Sequence, residues 1–88
     1  NIRDIISKSK NEVEVTIYFI DEAEVEIEIQ DSEIDKVVGI LKSKAKKGLN
    51  SFLVRSDNFE KGKQYSVQIN YKNENNSGSF SNSVTTKY

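Results

Sequence analysis

The chain contains no histidine, cysteine, proline, methionine or tryptophan, and only four glycines. Without histidine and cysteine, Ser-His-Asp and Cys-His nucleophiles cannot be assembled. The usual general base at neutral pH and the common zinc ligand sets are missing as well. Carboxylate pairs and lysines remain, but the expectation is a domain that is not an enzyme and holds neither cofactor nor transition metal. A disulfide scaffold is excluded. No apolar run approaches the ~18 residues of a membrane span, so membrane insertion is not expected, and no signal peptide is recognisable. With no proline, the turns must rely on Gly, Asn, Asp and Ser. Thirteen basic residues against fourteen acidic ones leave a net charge of −1. Phosphate binding needs a concentrated basic face, so nucleic acid is not an expected partner.

The 88 residues suffice for one domain with one core, and residues 1–88 are read as such. Because the chain opens at Asn1, it is expected to be a piece of a larger protein.

The dominant signal is period two. Val13, Val15, Ile17 and Phe19 alternate with Glu12, Glu14, Thr16 and Tyr18. Ala23, Val25, Ile27 and Ile29 alternate with Glu24, Glu26 and Glu28, and Tyr65, Val67, Ile69 and Tyr71 with Gln64, Ser66, Gln68 and Asn70. Successive side chains on a strand point to opposite faces, so each run offers one apolar face and one wet face. Weaker strands are expected over Asn1 to Ser9, Leu49 to Arg55 and Ser79 to Tyr88, the last with Val84, Thr86 and Tyr88 on one face. The run Lys36 to Ser43 is open to strand or helical turn, since Val37-Val38 and Ile40-Leu41 are paired; strand is preferred, with Gly39 at a bulge. Seven strands at about ten-residue spacing predict an all-β, two-sheet antiparallel sandwich.

The C-terminal stretch FEKGKQYSVQINYKNENNSGSFSNSVTTKY resembles the last two strands of the fibronectin type III family and the corner before them. Phe59 and Gly62 match the preceding connection, Tyr65 the start of the penultimate strand, and SNSVTT the closing strand. The tryptophan often seen on the family's second strand is absent, with Phe19 or Tyr18 available in its place. A second resemblance, carried by Gly48-Leu49-Asn50, is to immunoglobulin-like modules of bacterial secreted proteins. The resemblance implies a seven-stranded fibronectin type III-like sandwich that acts as a spacer, adhesion or protein-interaction module, extracellular or at the cell surface. Its partners would be proteins or neighbouring domains of the same chain. The alternative is an accessory carbohydrate-binding module of a secreted hydrolase. Tyr65 is implied to form a tyrosine corner, its ring buried and its hydroxyl bonded to backbone between Asp57 and Gly62.

Three further features bear on binding. Residues 11–35 hold ten acidic residues and no basic one, whereas residues 36–47 hold five lysines and no acid. Glu24, Glu26 and Glu28 raise the question of calcium. They lack the calcium-loop pattern and stand ~7 Å apart along a strand. A solvated face paired with lysines of the next strand is therefore preferred. The polar loop Asn73, Glu74, Asn75, Asn76, Ser77 and Gly78 is the candidate partner-binding loop, weighed against a plain hairpin. Asn75-Asn76-Ser77 matches a glycosylation sequon. Carbohydrate recognition would call on exposed rings, for which Tyr18, Tyr71, Phe80 and Tyr88 are the candidates.

Overall fold

The computed structural model describes residues 2–88; Asn1, included in the first strand by the sequence reading, lies outside the described residues. The strands are β1 (Ile2–Ser9), β2 (Glu12–Phe19), β3 (Ala23–Asp31), β4 (Lys36–Ala45), β5 (Gly48–Arg55), β6 (Gln64–Lys72) and β7 (Ser77–Thr85). They form two antiparallel sheets, of order β1-β2-β5 and β4-β3-β6-β7. Lys36 to Ser43 is strand rather than helical turn.

The alternating residues form the core between the sheets. Val13, Val15, Ile17, Ile27, Ile29, Val54, Val67 and Ile69 are fully buried, with Val25, Phe19, Phe52, Phe59, Tyr65 and Val84 around them. Burying a side chain of this size contributes roughly 1.5–3 kcal/mol, so these inward columns are the main source of stability. Two irregular stretches become regular once register is known. On β1, Ile2 faces Ile17 and Asp4 faces Thr16, so Arg3 is an inserted position and both Ile2 and Ile5 fall on the inner face. On β4, Gly39 faces Ile29 and Val37 faces Gln30, which makes Val38 the extra residue. The bulge therefore lies at Val38, directly before Gly39. Gly39 itself sits where a Cβ would come within 3.2 Å of Val54 Cγ1, and glycine lets the two sheets approach there.

The last strand departs from its expected limits. It begins at Ser77 and ends at Thr85, and Tyr88 is 53% exposed rather than inward-facing. Thr86 keeps its inward position and is buried. Its hydroxyl donates to the Glu60 carbonyl, and its N–H donates to the Lys63 carbonyl at 3.0 Å. These bonds pin the chain at Thr86, beyond which β7 does not continue; the Lys87 N–H turns to Ser7 Oγ of β1 at 3.0 Å.

Antiparallel pairing gives the sandwich two poles. Connections 20–22, 46–47 and 73–76 lie at one, and connections 10–11, 32–35 and 56–63 at the other. Ile2, opposite Ile17, is at the first pole; Thr86, beside Lys63, is at the second. The long dimension is 38 Å.

Candidate functional site

Three regions carry the polar side chains that could act on a partner. The first is the solvent-facing side of the four-stranded sheet. Register sets its side chains in rows across the strands: Lys44, Glu24, Lys72 and Ser77, then Lys42, Glu26, Asn70 and Ser79, then Ile40, Glu28, Gln68 and Ser81. Lys42 Nζ lies 3.5 Å from Glu26 Oε2. Each of Glu24 and Glu26 thus has a lysine beside it, which answers the charge segregation seen in the sequence. The first two rows line an open groove of about 800 Å³. Among the described residues, no group of three or more His, Cys, Asp or Glu side chains is arranged to hold a metal ion. No aromatic ring stands on this face. Tyr71 and Phe80 occupy the inner side of the same strands, stacked with ring centroids 5.2 Å apart, and Phe19 meets Tyr71 edge-on at 5.8 Å.

The second region is the β6–β7 hairpin. Only Asn73, Glu74, Asn75 and Asn76 form the loop; Ser77 and Gly78 already belong to β7, facing Lys72 and Tyr71. The turn closes early because the Asn73 side chain does the work of backbone. Its Oδ1 accepts the N–H groups of Asn75 and Asn76, both at 2.9 Å, while the Asn73 N–H donates to the Asn76 carbonyl at 2.8 Å. Such Asx turns are the local preference of asparagine. Gly78 has a packing reason for being glycine: a Cβ there would lie 2.5 Å from the Tyr71 hydroxyl and 2.8 Å from the ring.

The third region is the corner at the opposite pole. The Tyr65 ring is 1% exposed and meets Phe59 edge-on at 5.5 Å. Its hydroxyl accepts the Glu60 backbone N–H at 2.8 Å, inside the expected Asp57–Gly62 segment. Gly62 adopts φ 75°, a left-handed conformation open to glycine at little cost.

Beside this corner is a cluster that sequence reasoning missed. Asp31 is the last residue of β3 and 3% exposed. Lys63 Nζ lies 2.6 Å from Asp31 Oδ2, 3.1 Å from Glu60 Oε2 and 3.8 Å from Glu33 Oε2. The Lys63 hydrogen bond, helped by the Glu33 N–H, holds the Asp31 carboxyl below its ordinary range. The same bond, with that to Glu60, pushes the Lys63 ammonium upward. Both shifts favour the charged forms, so the cluster is a clamp between β3 and the β5–β6 connection. Asp31 and Lys63 are far apart in the chain, and no local pattern joins them.

Comparison with family models, with curated proteins and with solved structures gives no match to this chain.

Proposed function

We propose that this chain is a non-catalytic, fibronectin type III-like module, extracellular or at the cell surface, serving as a spacer or protein-interaction domain. The carrying observation is polar placement: Ile2 lies at one end of a body 38 Å long and Thr86 at the other. Neighbouring domains joined at either terminus would run on along the same axis. Exposed apolar residues support the reading at each pole. Ile20 (73% exposed) and Leu49 stand at the first, and Ile34 and Tyr88 at the second. These are surfaces that adjacent domains in a string would cover. The finer family assignment draws support from the strand order β1-β2-β5 and β4-β3-β6-β7 and from the Tyr65–Glu60 bond. The location outside the cell rests on the resemblances carried by residues 59–88 and by Gly48-Leu49-Asn50.

A head-to-tail fusion of two copies, with Ser81→Lys in each to keep their β7 strands from pairing, studied by small-angle scattering at low concentration, tests the spacer reading. The expected particle is an extended dumb-bell whose second unit adds about 38 Å. Two copies folded side by side would overturn the spacer reading. Specific micromolar binding of a soluble oligosaccharide by the single chain would replace it with the carbohydrate-binding alternative.

A further inference from the structure

The four sheet edges are not equally protected. Exposed edges offer unpaired N–H and C=O groups, and natural edges are blunted by lysine, proline or bulges. β4 carries Lys36, Lys42 and Lys44 and the shift at Val38. The β1 register is broken twice, between Ile2 and Asp4 and between Ser7 and Ser9. β5 is tied down at its two ends: Asn50 bonds the backbone of Lys46 and Gly48 at its start, and Ser56, just past it, donates its hydroxyl to the Val38 carbonyl of β4. β7, with sequence SGSFSNSVT, has no charge, no proline and an unbroken register against β6.

The direction of its backbone groups follows from its two ends. The Asn73 N–H donates to the Asn76 carbonyl, and the Thr86 N–H donates to the Lys63 carbonyl. Hydrogen-bonded and non-hydrogen-bonded pairs alternate along an antiparallel ladder. Gly78, Phe80, Asn82 and Val84 therefore bond β6, and Ser77, Ser79, Ser81, Ser83 and Thr85 direct N–H and C=O to the free edge. Two of those N–H groups are capped locally, Ser77 by Asn76 Oδ1 at 2.9 Å and Ser83 by Asn82 Oδ1 at 2.8 Å. β1 packs beside β7, and among the described residues its one hydrogen bond to this end of the chain, Lys87 N–H to Ser7 Oγ at 3.0 Å, falls beyond the strand. The edge backbone of Ser79 and Ser81 has no such cover among the described residues.

We infer that the free edge of β7 pairs with β7 of a second copy, antiparallel about a two-fold axis at Ser81. Ser81 then faces Ser81, Ser79 faces Ser83, and Ser77 faces Thr85, all of them edge-directed residues. The two four-stranded sheets become one continuous sheet. The register places no like charges opposite each other within the strand, and at both ends it brings the Glu74 hairpin of one copy beside Lys87 of the other. A parallel or shifted pairing loses this charge match. The same operation on β4 would oppose lysines.

Sedimentation of the single chain over a wide concentration range tests the inference, together with amide exchange at low and high concentration. The expected result is a concentration-dependent dimer in which the Ser79 and Ser81 amides become protected. Ser81→Pro removes an edge N–H that β6 does not use, and proline is tolerated on that side of an edge strand. It should weaken the dimer by about tenfold or more, since two symmetric hydrogen bonds are lost. Ser81→Lys, which keeps the N–H, should also weaken it by opposing two ammonium groups at the axis. If Ser81→Pro fails to fold, Ser81→Lys decides. A parent chain that stays monomeric throughout, variants that dimerise like the parent, or protection confined to β4 or β5 would each overturn the inference.

Discussion

The backbone N–H of Glu60 donates to the phenolic oxygen of Tyr65 at 2.8 Å, tying the β5–β6 connection to the start of β6. The same short segment is held from two other sides. Thr86, just past the end of β7, bonds the Glu60 carbonyl, and Lys63 bridges Asp31 and Glu60. At this pole β3, β6 and the end of β7, all of the four-stranded sheet, are thus tied to the connection that arrives from β5 of the other sheet.

Tyr65→Phe removes that acceptor and leaves the Glu60 N–H without its partner. The expected loss is about 0.5–1.5 kcal/mol, the usual net worth of one hydrogen bond. Tyr65→Ala empties a buried ring site and should cost ~3–5 kcal/mol. Urea titration of both variants measures this. A Phe variant as stable as the parent would remove the corner bond from the account of stability.

The Asp31–Lys63 clamp predicts an acid-sensitive fold. The folded Asp31 carboxyl sits below its ordinary value of 3.8. Its contribution is therefore present above that value and is lost as pH falls through the lower, folded one. Lys63 is shifted upward from 10.5, so its share is complete below that value and is lost only in strong alkali. Asp31→Asn should lower stability at neutral pH and flatten the decline in acid. Thermal melts from pH 7 down to about pH 2 check this; an unchanged acid slope would mean that other carboxylates govern it.

Gly78→Ala should disturb the aromatic cluster at the opposite pole. The new methyl would collide with the Tyr71 ring, which is stacked on Phe80 and touches Phe19. Overpacking of this kind costs typically ~1–3 kcal/mol. Near-ultraviolet circular dichroism should change along with stability. A variant with the parent's spectrum and stability would show that the ring can swing clear at no cost.

Glu26→Gln should alter stability by less than about 0.5 kcal/mol, as exposed pairs commonly do. Millimolar calcium should leave the melting temperature of parent and variant alike. A rise of many degrees in the parent, abolished by the substitution, would turn the lysine-paired face into a calcium site.

The sequence by itself determined the strands whose alternation is strict. Glu12–Phe19, Ala23–Asp31 and Gln64–Lys72 are legible because a period of two leaves each side chain one possible face. The resemblance of residues 59–88 to the fibronectin type III family pointed to Tyr65, whose hydroxyl does accept the Glu60 N–H. Only the tertiary structure decided the rest. Ile2 and Ile5, three apart, share a face because Arg3 is inserted between registers. Val37 and Ile40 lie outside because the insertion at Val38 resets the alternation on an edge strand. Asn73 closed its loop before Ser77, which gave Ser77 and Gly78 to β7. Asp31 met Lys63 through the packing of β3 against a distant connection. Local periodicity encodes which way a side chain points. It does not encode which strand arrives opposite, or at what register, because those depend on closing loops between residues far apart in the chain.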